Sequence, residues 1–195
     1  MPVDYLKESP SQTAGPYVHI GAMPSHAGLN LRTQEKLNVL TGPDVEGMRI
    51  RIEGTIYDGS GALVRDALVE SWQADSKGLH NQSGFFGWGR AACDLSTGLW
   101  FIETIKPGRF ANRSGVMQAP FITLALFARG INIHLHTRLY FEDEAEANQT
   151  DPVLAMVDPA HRKTLIAKKE MRGSEAVYRL DIVLQGENET VFFDM

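Results

Sequence analysis

A chain of 195 residues, 43% of them hydrophobic, is one domain's worth and can bury a core of its own. Its net charge of −5 comes from 24 acidic and 19 basic residues that are interspersed rather than blocked, which leaves no cationic face for a nucleic-acid backbone. The single cysteine, Cys93, excludes an intrachain disulfide framework and a thiolate metal cluster; with no leader-like start and no long uninterrupted apolar run, the expectation is a soluble, cytoplasmic protein.

Residues 1–46 read as an N-terminal arm, with turns at Ala14-Gly15-Pro16 and Met23-Pro24 and one helical turn near residues 33–36. Tyr17, Val18, Ile20, Leu29 and Leu31 are too apolar to stay in water, so the arm is expected to lie on a partner or across its own domain. Residues 47–195 form that domain. Met48-Arg49-Ile50-Arg51-Ile52-Glu53 alternates, Asp58-Gly59-Ser60-Gly61 punctuates, and Leu68-Val69-Glu70-Ser71-Trp72 alternates again, which predicts an antiparallel pair joined around that turn. Further strands are expected over residues 99–104, 121–127, 133–141 and 176–184. Short helical pieces are expected over 142–147, 152–157 and 159–165, with Asp151 and Asp158 as caps ahead of first-turn prolines. Short strands at turn-punctuated intervals describe an all-β sandwich with an arm and short helical segments better than a parallel α/β fold.

Trp72, Trp88 and Trp100 are core or interface aromatics, and Phe85-Phe86 beside Trp88 reads as a hydrophobic loop pressed on another subunit. Cys93 is expected to be a buried small hydrophobe. Glu70 is expected to pair with Arg90 or Arg65. His134 and His136 form a His-x-His pair that shares a strand face with Arg138 and Tyr140. Three readings of that pair stand open: a metal site, a polar face toward a partner or substrate entrance, and satisfied structural histidines.

Four spaced segments carry a resemblance: Val69-Glu70-Ser71-Trp72-Gln73-Ala74-Asp75, Thr104-Ile105-Lys106-Pro107-Gly108, Ala119-Pro120-Phe121-Ile122-Thr123 and Thr137-Arg138-Leu139-Tyr140-Phe141. With Pro10-Ser11-Gln12-Thr13-Ala14-Gly15-Pro16-Tyr17 at the start, the chain resembles the intradiol ring-cleaving dioxygenase family over nearly all its length. The resemblance implies a β-sandwich built around a ferric ion held by two tyrosines and two histidines. Placed on this chain, those four ligand positions fall at His80, Phe110, Phe121 and Thr123, of which only His80 can coordinate a metal.

The resemblance therefore implies a subunit type that holds no metal itself. Its partner would be a homologous beta subunit carrying non-haem ferric iron, in a hetero-oligomer of higher order. That assembly would cleave a small aromatic acid, protocatechuate, with dioxygen to 3-carboxy-cis,cis-muconate, in the β-ketoadipate route of aromatic catabolism. It also implies that Thr13, Gly15, Pro16, Tyr17 and Arg129 line the substrate cavity. Gly15-Pro16 would supply a close-approaching backbone with one fixed dihedral, against the plain alternative of an ordinary turn. Arg129 would supply a charge-assisted contact to a ring carboxylate or a partner acid, against plain surface solvation. Two other classes stand beside this one: a self-sufficient intradiol enzyme with an atypical iron site, and a non-enzymatic β-sandwich binding module.

Overall fold

The computed structural model describes residue 7 and residues 12–15, 17–29 and 36–194. Pro16, Leu31 and most of the helical turn expected near residues 33–36 lie outside the described residues. Among the described residues nine strands form: β1 (Arg49–Tyr57), β2 (Leu68–Trp72), β3 (Trp88–Ala92), β4 (Leu99–Ile105), β5 (Phe121–Phe127), β6 (Leu135–Phe141), β7 (Ile166–Arg172), β8 (Glu175–Arg179) and β9 (Ile182–Val183). They run in the order β3-β2-β5-β6-β7-β8-β1-β4, with β9 added on β1.

This order divides into two halves. Strands β3, β2, β5 and β6 pair antiparallel, as do β7 with β8 and β1 with β4, whereas β6 meets β7 through only two parallel register pairs, Tyr140↔Ile166 and Phe141↔Ala167. One hydrophobic core takes inward residues from both halves: Ile50, Ile52, Trp100 and Ile102 from one, Val69, Ile122, Leu124, Leu126 and Leu139 from the other. Period-two alternation sends every second side chain to this interior, and the expected β-sandwich results. Gln73 ties the two halves at one end. Its buried amide donates to the Ile105 carbonyl (2.9 Å) and accepts from the Thr104 hydroxyl (2.8 Å).

The expected pairing of residues 48–53 with 68–72 is not formed. The turn at residues 58–61 closes only onto Leu63, through a bridge to Tyr57, after which the chain crosses to the other half; β1 pairs with β4, β8 and β9 instead. Alternation fixes which face a strand buries, not which strand lies beside it. The strand expected over 176–184 splits at Leu180-Asp181. There the Leu180 carbonyl lies so close to Gly54 that a Cβ would meet its oxygen at 1.9 Å, and Asp181 Oδ1 accepts both the amide and the hydroxyl of Thr55 at 2.9 Å. A side chain thus replaces a backbone partner where the ladder breaks.

Two strands, β3 and β7, were not expected. In the segment read as a loop of Phe85, Phe86 and Trp88 pressed on another subunit, Phe85 is buried, Trp88 is half-buried and opens β3 opposite Trp72, and Phe86 is exposed with its ring edge-on to Trp72 at 5.5 Å. Glu70 faces Arg90 across β2 and β3, as one of its two expected partners, with Arg90 Nε 2.8 Å from Glu70 Oε1. The same Arg90 donates to the Ala22 carbonyl (2.9 Å). This holds the short helix α1 (Val18–Ala22) against the domain, with Met23 buried beside it. Cys93 is buried, and desolvation pushes its thiol up to about 12.

The expected helix over 142–147 appears as a 3-10 turn (Glu142–Glu144) followed by α2 (Ala145–Gln149), and that over 152–157 as α3 (Pro152–Met156). Asp151 caps α3 as its sequence position promised, accepting from Val153 N and Leu154 N at 2.9 Å. The segment over 159–165 is only a 3-10 turn at Arg162–Leu165, with Asp158 accepting the Ala160 amide ahead of it. No helix among the described residues is long and apolar enough to cross a membrane.

Glu53 is 1% exposed in β1, and it is neutralised by arginines from three strands. Arg51 Nε lies at 2.9 Å, Arg172 Nη2 at 2.7 Å and Arg179 Nη1 at 3.7 Å. Desolvation pulls the Glu53 pKa up, but hydrogen bonds from Arg172 and Arg51 outweigh it and the net shift is downward. A lowered folded-state pKa means the stabilisation is complete above the unfolded value of about 4.3 and is lost as pH falls through the folded value. Glu53→Gln is expected to cost about 2–3 kcal/mol at pH 7, below the full cost of breaking a buried pair because the arginines can rehydrate. Urea titration is expected to show the gap between wild type and variant closing as pH falls from 7 to 3.

Candidate functional site

Three of the four positions that the resemblance matches to metal ligands lie in one row of rings. His80 stands on the loop after β2, Phe110 on the loop after β4, and Phe121 at the start of β5. The His80 ring meets Phe110 at 4.9 Å, Phe110 meets Phe121 at 5.3 Å, and Phe121 meets Tyr140 at 5.7 Å. Trp72 stacks on the outer face of His80 at 5.9 Å. Thr123 follows Phe121 by two residues on β5, in register between Trp72 and Arg138.

The two loops are positioned backbone on backbone. Asp75 Oδ1 accepts from Lys77 N and Leu79 N at 2.8 Å, and the Asp75 carbonyl accepts from Gly108 N at 2.8 Å. Gly78 and Gly108 make this approach possible: a Cβ on Gly78 would lie 2.0 Å from the Arg109 carbonyl oxygen, and one on Gly108 2.5 Å from that of Ser76.

A ferric ion does not fit this centre. Benzyl rings offer no lone pair, and among the described residues no group of three or more His, Cys, Asp or Glu side chains could hold a metal. A cation of the protein's own sits there instead. The Arg138 guanidinium carbon lies 4.0 Å from the Phe121 ring centroid and 5.8 Å from that of Phe193, within range of cation–π attraction. Arg138 Nη1 donates to Gln118 Oε1 (3.1 Å) and to the Tyr140 hydroxyl (3.2 Å). That hydroxyl donates to Asp151 Oδ1 (3.1 Å), while Asp151 Oδ2 accepts the buried Ala119 amide (2.9 Å). Sequence reasoning named Asp151 only as a cap and did not find Gln118; the i, i+2 spacing of Arg138 and Tyr140 was the available signal.

His134 and His136 bond to one another, Nε2 to Nε2 at 2.7 Å, so one ring donates and the other accepts. Tyr140 does not join them, because its hydroxyl is spent on Arg138 and Asp151. Burial, and then the charge of His134, lower the His136 pKa. Among the described residues His136 Nδ1 is buried without a hydrogen-bond partner, so these residues do not fully satisfy the pair.

The other candidate residues gather at the far end of β5. Phe121 and Phe127 are separated by about 20 Å of extended chain, and Arg129 lies beyond Phe127 on the turn that follows. Thr13 reaches this turn from the arm: its hydroxyl accepts from Gly130 N (2.7 Å), and its proton lies between the carbonyls of Ala14 (3.2 Å) and Ala128 (3.4 Å). Arg129 pairs with Asp66, Nε to Oδ2 at 2.5 Å. Gly15 and Tyr17 continue the arm at the surface, and Tyr17 is 74% exposed. A Cβ on Gly15 would meet no atom of the described residues within 4 Å.

The family model described as Dioxygenase matches residues 23–186. The protocatechuate 3,4-dioxygenase alpha chain of Pseudomonas putida is 51% identical over 200 residues, covering 100% of both chains. The protocatechuate 3,4-dioxygenase beta chain of Burkholderia cepacia is 29% identical over 78% of this chain and 71% of its own. Among solved structures, the dioxygenase domain of a dioxygenase carbohydrate-binding protein fusion from Streptomyces sp. SirexAA-E superposes with a TM-score of 0.61 at 24% identity, over 79% of this chain and 88% of that one.

Phe121→His would supply one imidazole but set it beneath the Arg138 guanidinium, and is expected to retain no stoichiometric ferric iron while losing roughly 1–3 kcal/mol of stability. Metal analysis and urea unfolding check both; one ferric ion per chain would show that the centre is not filled as described. For the histidine pair, ring NMR is expected to find His136 titrating below the ordinary value of about 6.5 and moving up toward it in His134→Ala. A lowered histidine pKa works against the folded state as pH drops below the unfolded value, so His136 is expected to weaken folding on mild acidification.

Proposed function

The chain belongs to the intradiol dioxygenase family, and from that premise we infer that it is the iron-free, alpha-type subunit of a protocatechuate 3,4-dioxygenase. It works beside a homologous beta-type subunit that holds the ferric ion, in a hetero-oligomer that opens the ring of protocatechuate with dioxygen to give 3-carboxy-cis,cis-muconate. Iron bound in the partner supplies the activation of the ring diol toward oxygen.

One observation carries this reading. The groups suited to an anionic aromatic substrate, Arg129 and the arm, stand at the opposite end of β5 from the ligand-equivalent centre, and that centre is packed with Phe110, Phe121 and Arg138. A self-sufficient enzyme would need both at one place, with four metal donors where this chain has one. Arg129 and the arm therefore serve a cavity that another chain completes.

In that cavity the Arg129 guanidinium forks onto the ring carboxylate, and Thr13, Gly15, Pro16 and Tyr17 form one wall of the slot. Support comes from Gly15, where a side chain would meet none of the described residues, and from the exposed Tyr17 ring. A planar ring held by its carboxylate loses its freedom to rotate before the chemical step, which is where orientation contributes to rate.

Purification of the native complex through this chain is expected to bring a second chain of similar size, with one ferric ion per pair and none on this chain after separation. A homo-oligomer with one iron per chain, or a metal-free monomer, would sink the reading. In the reconstituted complex Arg129→Ala is expected to raise KM for protocatechuate about tenfold or more, the loss of one charge-assisted contact; unchanged KM and kcat would remove Arg129 from the cavity.

A further inference from the structure

The antiparallel register of β2 and β5 places Leu68 opposite Phe127 and Val69 opposite Leu126. Continued two residues past the ladder, it sets Asp66 opposite Arg129, and there the two side chains meet at 2.5 Å. The pair is asymmetric in exposure: the Asp66 side chain is 12% exposed and that of Arg129 65%. The contact uses Nε, the inner edge of the guanidinium. Among the described residues neither Nη group makes a hydrogen bond, so their N–H donors remain for a ligand.

The backbone is held as well. The Thr13 hydroxyl accepts the amide of Gly130, next to Arg129, and its one proton is shared between the carbonyls of Ala14 and Ala128. A long side chain on a turn would otherwise spread over many rotamers, and its contact with a ligand would be weakened by the entropy of ordering it.

We propose that Asp66 is a positioning residue for substrate recognition: it holds Arg129 by the Nε edge so that the Nη pair faces outward as a preformed fork for the carboxylate of an aromatic acid, while Thr13 holds the turn. This rests on the cavity role of Arg129 given above. Asp66 does not touch the substrate. It also carries negative charge, and that makes the proposal testable by sign. If Asp66 only neutralised Arg129, its removal would strengthen attraction for an anionic substrate and lower KM; if it orients the fork, its removal raises KM.

The experiment compares Asp66→Asn with wild type in the complex reconstituted with its iron-bearing partner, using protocatechuate and, as the carboxylate-free probe, catechol. The reading is the ratio of the two KM values. An increase of about fivefold in that ratio is expected, and little further increase in the double variant with Arg129→Ala, because both substitutions remove one device. A ratio that falls, or KM values that rise in parallel for both substrates, would overturn the positioning role. Should Asp66→Asn fail to assemble, Arg129→Lys decides: it keeps the charge at an exposed position but cannot be held at one edge while forking with the other. A ratio like that of Arg129→Ala supports the fork, and an unchanged ratio overturns it. If Arg129→Ala itself leaves the ratio unchanged, the cavity reading fails rather than the positioning alone.

Discussion

One buried carboxylate organises the centre of this molecule. Asp151 is fully buried and receives four donors: the Val153 and Leu154 amides at the start of α3, the Ala119 amide before β5, and the Tyr140 hydroxyl from β6. Such a group is costly to bury unless all its acceptor sites are used, so the three segments that feed it are held to one arrangement. Through Tyr140 it sets Arg138, and Arg138 lies over Phe121. The filling of the ligand-equivalent centre thus depends on a residue whose local task is to cap a helix.

The family's sequence segments persist here for reasons of folding. Gln73 and Thr104, which stand in two of them, hydrogen-bond to each other and join the two halves of the sandwich. Gly108, in the second of these, allows the loop bearing Phe110 to lie against the loop bearing His80. Tyr140 and Arg138, in the last, complete the Asp151 network. Such a framework packs without a metal, because rings and a guanidinium occupy its centre and bring their own attraction. The other end of β5, at the turn that follows it, carries Arg129 and receives Thr13 of the arm.

Much of the strand pattern was legible in the residues. β2 and β5 have the bounds that alternation assigned to them, and the Asp151 cap was readable from Asp-Pro ahead of an apolar run. β7 was not, because its lysines and glutamate face solvent and show no buried alternation; it is a strand because β8 pairs with it along five residues and β6 along two. β3 is short and rich in small residues, and its packing against Leu40 and Ser71 at Gly89 comes from distant chain. The expected partnership of β1 and β2 failed for the same reason. Alternation is a property of one strand, whereas pairing is a property of two.

The candidate site divides along the same line. That Phe110 and Phe121 cannot bind a metal follows from their covalent structure, and so does the capacity of Arg129 to fork onto a carboxylate; the sequence alone determined both, along with the strand alternation and the helix cap. Only the tertiary structure decided that Arg138 stacks on Phe121, that Asp66 faces Arg129, and that the arm and the filled centre lie at opposite ends of one strand. Donor capacity belongs to a residue wherever it stands, but a neighbour through space exists only once chain segments far apart in sequence have been closed against one another.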